Sequence, residues 1–148
     1  MITVIQFTAE HVHQLRKLYP DEALGVGPDP DAFVKQLEVE GLAFTVIEDG
    51  QPIGCAGILP LWKGAGEAWA LFSPRMIAKP FFLHRTVKKY LYRLQEKGRF
   101  HRVQCAVLYN FRVGCNWIRR LGFISEGPLY MFCPNKLNYR RFVLLANY

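Results

Sequence analysis

Apolar and polar positions divide the chain into stretches of two periods. Residues 3–7 (Thr-Val-Ile-Gln-Phe) are rich in β-formers and predict a strand. Thr8 suits a helix N-cap and Glu10 favours a first turn, so a helix is expected over roughly 9–18, ending before Pro20. Asp29-Pro30-Asp31 opens a second predicted helix, with Pro30 in its first turn. Phe33, Val34 and Leu37 supply its apolar side, and Gly41 closes it. Residues 43–48 and 53–61 then read as strands joined by Asp49-Gly50, the strongest short hairpin signal. Lys63-Gly64-Ala65-Gly66 is a second predicted turn, and Glu67–Ser73 a third strand of the same meander.

After residue 73 the period changes. Leu83, Val87, Tyr90, Leu91 and Leu94 recur at helical spacing between Pro80 and Lys97, with Gly98 as the expected stop. Arg102–Tyr109 holds a short apolar run suited to a buried strand. A helix over 111–121 places Val113, Trp117 and Leu121 together and ends at Gly122. Phe123–Cys133, interrupted near Gly127-Pro128, and Arg141–Leu145 complete the chain as strands. A helix between the strands at 67–73 and 102–109 makes those two parallel, with a right-handed crossover. The predicted architecture is therefore α/β (α+β): a mixed, mostly antiparallel sheet with helices on its faces. No repeat, low-complexity tract or long linker interrupts it, so 1–148 is expected to form one domain.

Composition narrows the class. Half of the residues are hydrophobic (51%) and 14% are aromatic, which excludes intrinsic disorder. No apolar run approaches a membrane span, and Met1-Ile2-Thr3-Val4 does not read as a signal peptide. A cytoplasmic location is expected. Cys55, Cys105, Cys115 and Cys133 form no C-x-x-C pair and no metal spacing, so they read as reduced, mostly buried thiols. His11, His13, His84 and His101 carry no metal spacing either, and no metal is expected.

Charge is divided unevenly. Residues 1–74 carry four Lys or Arg against ten Asp or Glu, and residues 75–148 carry fifteen against two. The halves thus stand at −6 and +13. Such asymmetry points to an anionic partner for the second half, or to basic helix faces that are simply solvated. Lys88, Lys89, Arg93 and Lys97 fit one solvated face. Tyr90, Tyr92, Phe100 and Tyr139 are interleaved with basic residues, but no nucleic-acid motif accompanies them, so nucleic acid ranks last among partners.

The element order and one stretch carry a family resemblance. Asn110-Phe111-Arg112-Val113-Gly114-Cys115-Asn116-Trp117-Ile118-Arg119-Arg120-Leu121-Gly122-Phe123 resembles the GNAT family of N-acetyltransferases, which use acetyl-coenzyme A. The family Asn usually stands one residue closer to the Gly-Phe pair. Ile53-Gly54-Cys55-Ala56-Gly57 and Glu67-Ala68-Trp69-Ala70-Leu71 are similar to its third and fourth strands. Within the family the chain looks most like the GNAT-like proteins of tailed bacteriophages, on His101-Arg102, the short loop after the Trp69 strand and Trp117–Phe123. That closer likeness implies a phage origin, with the host cytoplasm or the virion as location.

The resemblance implies a site. The family holds the coenzyme pyrophosphate with an Arg/Gln-x-x-Gly-x-Gly/Ala loop, and here that segment is Arg75-Met76-Ile77-Ala78-Lys79-Pro80. Arg75 fits the first position. Ala78 and Pro80 stand where glycines would be; Ala78 adds a Cβ and Pro80 lacks an N–H. Arg75 and Lys79 are then the expected phosphate ligands, as point charges. The thioester would lie against the backbone of Leu71 and Phe72, in an opening between the two parallel strands. Asn110 would meet the pantetheine arm there, or cap the following helix. Glu67 is the candidate general base, against the plainer reading of an exposed strand end near Lys63. The usual tyrosine acid is replaced by Trp117 or Ile118, leaving Tyr109 as a substitute.

The implied function is acetyl transfer from acetyl-coenzyme A to a small-molecule or protein amine. Asp21, Glu22, Asp29 and Asp31 would draw a cationic acceptor. The alternative is a catalytically silent protein of this fold, with a virion-structural or host-interaction role. Oligomeric state stays open, since the apolar strands at 123–145 suit either a dimer contact or the sheet itself.

Overall fold

The computed structural model describes residues 1–20 and 34–148 in full and residues 24–26 by their backbone. Seven strands lie in the order β1-β3-β4-β5-β6-β8-β7, and β2 pairs with β5 beside this path. They are β1 (Ile2–Gln6), β2 (Leu24–Val26), β3 (Ala43–Glu48), β4 (Gln51–Trp62), β5 (Ala65–Phe72), β6 (Arg102–Leu108), β7 (Ile124–Leu129) and β8 (Tyr139–Leu145). All pairings are antiparallel except β5 with β6. The helices are α1 (Ala9–Leu18), α2 (Pro74–Ile77), α3 (Pro80–Gly98) and α4 (Arg112–Arg120). The expected mixed sheet with one parallel pair is thus present.

Strand alternation sends successive side chains to opposite faces of the sheet. On one face Ala70 and Phe72 of β5 join Val103, Cys105 and Val107 of β6 and Phe142 and Leu144 of β8. Val87, Leu91 and Leu94 of α3 and Cys115 and Ile118 of α4 cover them. On the other face Trp69 and Leu71 pack with Phe7, Leu37 and Val12 and Leu15 of α1. The Asp49-Gly50 hairpin forms as expected: both residues have positive φ (52° and 80°), which a type I′ turn requires.

Several boundaries differ from the sequence reading, each for a local reason. The second predicted helix falls partly on residues 27–33, outside the described residues, and residues 34–37 and 40–41 are turns rather than helix. Ala65 and Gly66 belong to β5, because the turn needs only Lys63 and Gly64. Gly98 does not stop α3; Arg99 takes the left-handed position (φ 50°) instead. Gly98 stays helical, and its missing Cβ leaves the room that the Phe100 ring fills. The strand predicted over 123–133 ends at Leu129, and Met131 turns the chain with φ 50°. Asn110 does not cap α4; Phe111 holds the cap position, with no side-chain hydrogen bond. Strand β2 and helix α2 were not foreseen.

Gly122 ends α4 as expected, and its geometry makes a test. Its φ is +111°, and a Cβ there would lie 2.4 Å from Tyr92 Oη, whose hydroxyl donates to Leu121 O at 2.7 Å. Gly122→Ala is expected to cost about 1–3 kcal/mol of unfolding free energy from backbone strain and the displaced hydrogen bond. Urea unfolding checks this; an unchanged midpoint would show that the turn re-forms without cost.

Candidate functional site

Strands β5 and β6 pair over only three positions: Ala65 with Arg102, Gly66 with Val103, and Glu67 with Gln104. Beyond Glu67 they part. β5 continues to Phe72 and β6 to Leu108 without pairing, so a V opens in the middle of the sheet. Such a V is where the resemblance expects the thioester arm.

Glu67 stands at the apex, on the same face as Trp69 and Leu71 by strand alternation. It is 7% exposed, not an open strand end. Gln104 Nε2 donates to its Oε1 at 2.9 Å, and Arg141 Nη1 of β8 donates to the same oxygen at 3.2 Å. Burial pushes the Glu67 pKa up, and it outweighs the hydrogen bond from Gln104 and the charge of Arg141, which act downward. A buried carboxylate with a raised pKa, fixed by two donors, is a better proton acceptor than an exposed one. Gln104 and Arg141 were not singled out from the sequence. Gln104 had a signal: it is the polar residue inside the apolar run Val103–Leu108.

The other expected site residues stand apart from Glu67, with Leu71 and Phe72 along the β5 arm of the V. Leu71 and Phe72 are core residues, and their backbones are paired on both sides. β4 supplies Cys55 and Gly54 on one side, and β2 supplies Gly25 and Leu24 on the other. Val26 completes this pairing on Ala70, so β2 takes the β5 edge that β6 leaves. Tyr109 and Asn110 lie at the far end of β6, in a cavity with Arg112, Cys115, Asn116, Arg119 and Arg140. Arg140 stacks on the Tyr109 ring, its guanidinium carbon 4.0 Å from the centroid.

The segment from 75 to 80 decides whether the residues present fit acetyl-coenzyme A. Residues 74–77 form α2, with Ser73 Oγ accepting from Met76 N at 3.3 Å and Ala78 as the C-cap. The N–H groups of Met76, Ile77, Ala78 and Lys79 all donate to backbone carbonyls of residues 73–76. These four amides are therefore taken, and Pro80 has none to give. Arg75 and Lys79 face the opposite way. Arg75 Nε lies 2.6 Å from Glu48 Oε1 and its Nη2 3.2 Å from Asp49; Lys79 Nζ lies 3.3 Å from Glu48. Glu48 ends β3, two strands from β5 on the side away from the V. The pyrophosphate of acetyl-coenzyme A therefore does not fit the residues as they stand.

Two further observations bear on chemistry. His11 serves the fold: its Nδ1 accepts from Thr8 N at 3.1 Å, so the Thr45 hydroxyl, 2.7 Å away, donates to the same nitrogen. Burial lowers the His11 pKa, outweighing the nearby charges of Glu10 and Glu38, which act upward. Among the described residues no three of His, Cys, Asp and Glu come together as a metal site. No helix among them is long and apolar enough to cross a membrane.

No protein-family profile and no curated protein matches the sequence. Solved structures do match in fold. The ribosomal-protein-S18-alanine N-acetyltransferase from Escherichia coli superposes with a TM-score of 0.75 at 10% identity, over 100% of this chain and 96% of that one. A variant of the spermidine N-acetyltransferase SpeG from Vibrio cholerae gives 0.73 at 13% identity, over 97% and 93%. An acetyltransferase of the GNAT family from Streptococcus pneumoniae gives 0.71 at 13% identity, over 99% and 100%. The strand order, the single parallel pair and these superpositions together show that the chain has the fold of the GNAT N-acetyltransferases.

Proposed function

We propose that the chain is a catalytically silent protein of the acetyltransferase fold that works through contacts with other macromolecules. The observation that carries this reading is the segment 75–80: the amides of Met76–Lys79 are spent within the chain, Pro80 has none, and its two cations are paired with Glu48 and Asp49. The pairing of β2 along Ala70–Phe72 supports it, because the β5 edge is already satisfied. A contact surface is present elsewhere. Beyond the outermost strand, β7, the chain exposes Tyr130 (72%), Met131 (64%) and Phe132 (46%) in sequence. Three consecutive exposed large apolar residues suit a protein partner better than solvent. A virion-structural or host-directed role would use such a surface.

The second reading, acetyl transfer from acetyl-coenzyme A to an amine, is favoured by Glu67. Its position at the apex of the V and its raised pKa match a general base that takes the proton of an incoming amine. In that reading Leu71 and Phe72 present backbone groups once β2 withdraws. Arg75 and Lys79 must also exchange their carboxylates for phosphate, and Tyr109 and Asn110 must turn toward the V.

One experiment separates the two. Acetyl-coenzyme A is offered with a panel of amines, including a polyamine and peptides with free amino termini, and thiol release is followed. The expected result is no saturable turnover, with no difference between the wild-type chain and Glu67→Gln. Saturable turnover that falls at least about tenfold in Glu67→Gln, with the fold intact, would overturn the first reading and establish the second.

A further inference from the structure

The structure sorts the basic excess of residues 75–148 into used and unused charges. Arg75 and Lys79 are paired with Glu48 and Asp49. Arg102 makes a two-pronged pair with Glu126, at 2.9 and 2.5 Å. Arg141 is paired with Glu67. Three arginines from two elements, Arg112 and Arg119 of α4 and Arg140 of β8, instead share one cavity of about 360 Å³. Its lining is completed by Tyr109, Asn110, Cys115 and Asn116, with no carboxylate among them.

This cavity is not the V. Trp117 contacts Phe72 of β5 edge-on at 5.8 Å, so that flank of α4 faces β5. Residues 112, 115, 116 and 119 follow i, i+3, i+4 and i+7 spacing and form a different flank, turned to the β8 side where Arg140 stands. Two of the guanidinium groups rest on rings. Arg140 lies 4.0 Å over Tyr109, and Arg119 lies 5.3 Å over Phe142. Stacking holds a guanidinium plane while leaving its edge N–H groups free to donate. The Asn110 and Asn116 amides add neutral donors.

We propose that this cavity is a binding site for a compact phosphate-bearing anion. Three positive charges, two of them held on rings, suit a group with two or more negative charges, and guanidinium edges match phosphate oxygens in pairs. A recessed cavity bounded by two elements favours a small ligand over a polymer laid along a surface. The site includes Tyr109 and Asn110, so it rests on the reading in which these two residues stay out of the V.

The test uses inorganic pyrophosphate and inorganic phosphate as probes, titrated calorimetrically into the full chain at low salt and at about physiological salt. Saturable one-to-one binding of pyrophosphate is expected. Arg119→Gln and Arg140→Gln are each expected to weaken it about tenfold, the effect of losing one charge-assisted contact. Lys88→Gln with Lys89→Gln, on the solvated face of α3, is expected to leave it unchanged. Arg112→Gln, on an exposed side chain, provides a third variant whose fold is secure. No saturable binding at millimolar probe, or equal weakening by the α3 variant, would overturn the proposal. So would a single-stranded oligonucleotide that binds where pyrophosphate does not. Coenzyme A carries phosphates of its own, and any binding it shows that vanishes in Arg119→Gln and Arg140→Gln belongs to this cavity, not to the V.

Discussion

Arg141→Met is expected to lower the unfolding free energy by about 3–5 kcal/mol at neutral pH, because it leaves the Glu67 carboxylate buried without its cation. Glu67 and Arg141 have side-chain exposures of 10% and 18%, so solvent cannot replace the missing partner. The loss carries a pH signature. Burial already raises the Glu67 pKa above its ordinary value in the native protein. A carboxyl raised in the fold contributes its full stability below the ordinary carboxylate range and loses it as pH rises through the folded-state pKa. Removing Arg141 removes a downward influence, so the pKa climbs further and the penalty at neutral pH grows. The gap between the native chain and the variant should therefore be widest above the folded-state pKa and close as pH falls toward the ordinary carboxylate range. Urea unfolding of both proteins at several pH values measures it. Glu67→Gln combined with Arg141→Met should recover much of the loss, since no buried charge remains. A gap independent of pH would mean that Arg141 acts by packing alone.

Trp69→Ala is expected to cost a similar about 3–5 kcal/mol for a different reason. Trp69 is 2% exposed and meets the Phe7 ring edge-on at 4.9 Å, at the centre of the core beneath α1. Truncation leaves a cavity among Val12, Leu15, Leu37 and Leu71, fixed by a sheet that cannot collapse inward. That is a large share of the about 5–15 kcal/mol that holds a domain of this kind together. Trp69→Phe should cost less than half as much. It keeps most of the ring and removes the indole N–H, which is buried without a partner among the described residues. Equal losses in the two variants would show that the indole's extra volume, rather than filling as such, supports α1.

Much of the fold could be read from the chain because local signals agreed. The Asp49-Gly50 turn, the apolar spacing of α3 and the Gly122 end of α4 each specify one backbone outcome. β2 escaped notice because Leu-Gly-Val is too short for periodicity to register; its strand state comes from a long-range partner, the open edge of β5. The candidate site was legible as a list and not as an arrangement. Glu67 is marked by the resemblance, as a carboxylate at the start of the strand, yet the groups that set its chemistry come from β6 and β8, 37 and 74 residues away. Arg75 and Lys79 read from the sequence as phosphate ligands. Nothing local revealed that Glu48 and Asp49 would claim them. Arg140 and Arg141 look equivalent in sequence, but strand alternation sends them to opposite faces. One neutralises a buried carboxylate and the other lines a cavity beneath α4.

The three-position seam between β5 and β6 also has a mechanical meaning. It joins two plates, one of β1, β3, β4 and β5 and the other of β6, β7 and β8, at one end only. From Glu67 to Phe72 β5 extends about 17 Å past the last shared pair, at about 3.3 Å per residue. A turn of about 10° at the seam would then move the far end by about 3 Å, more than half the spacing between neighbouring strands. Side chains of α3 and α4 pack across both plates, so a change around Glu67, Gln104 and Arg141 would have to disturb that shared core before it moved the other end of the opening.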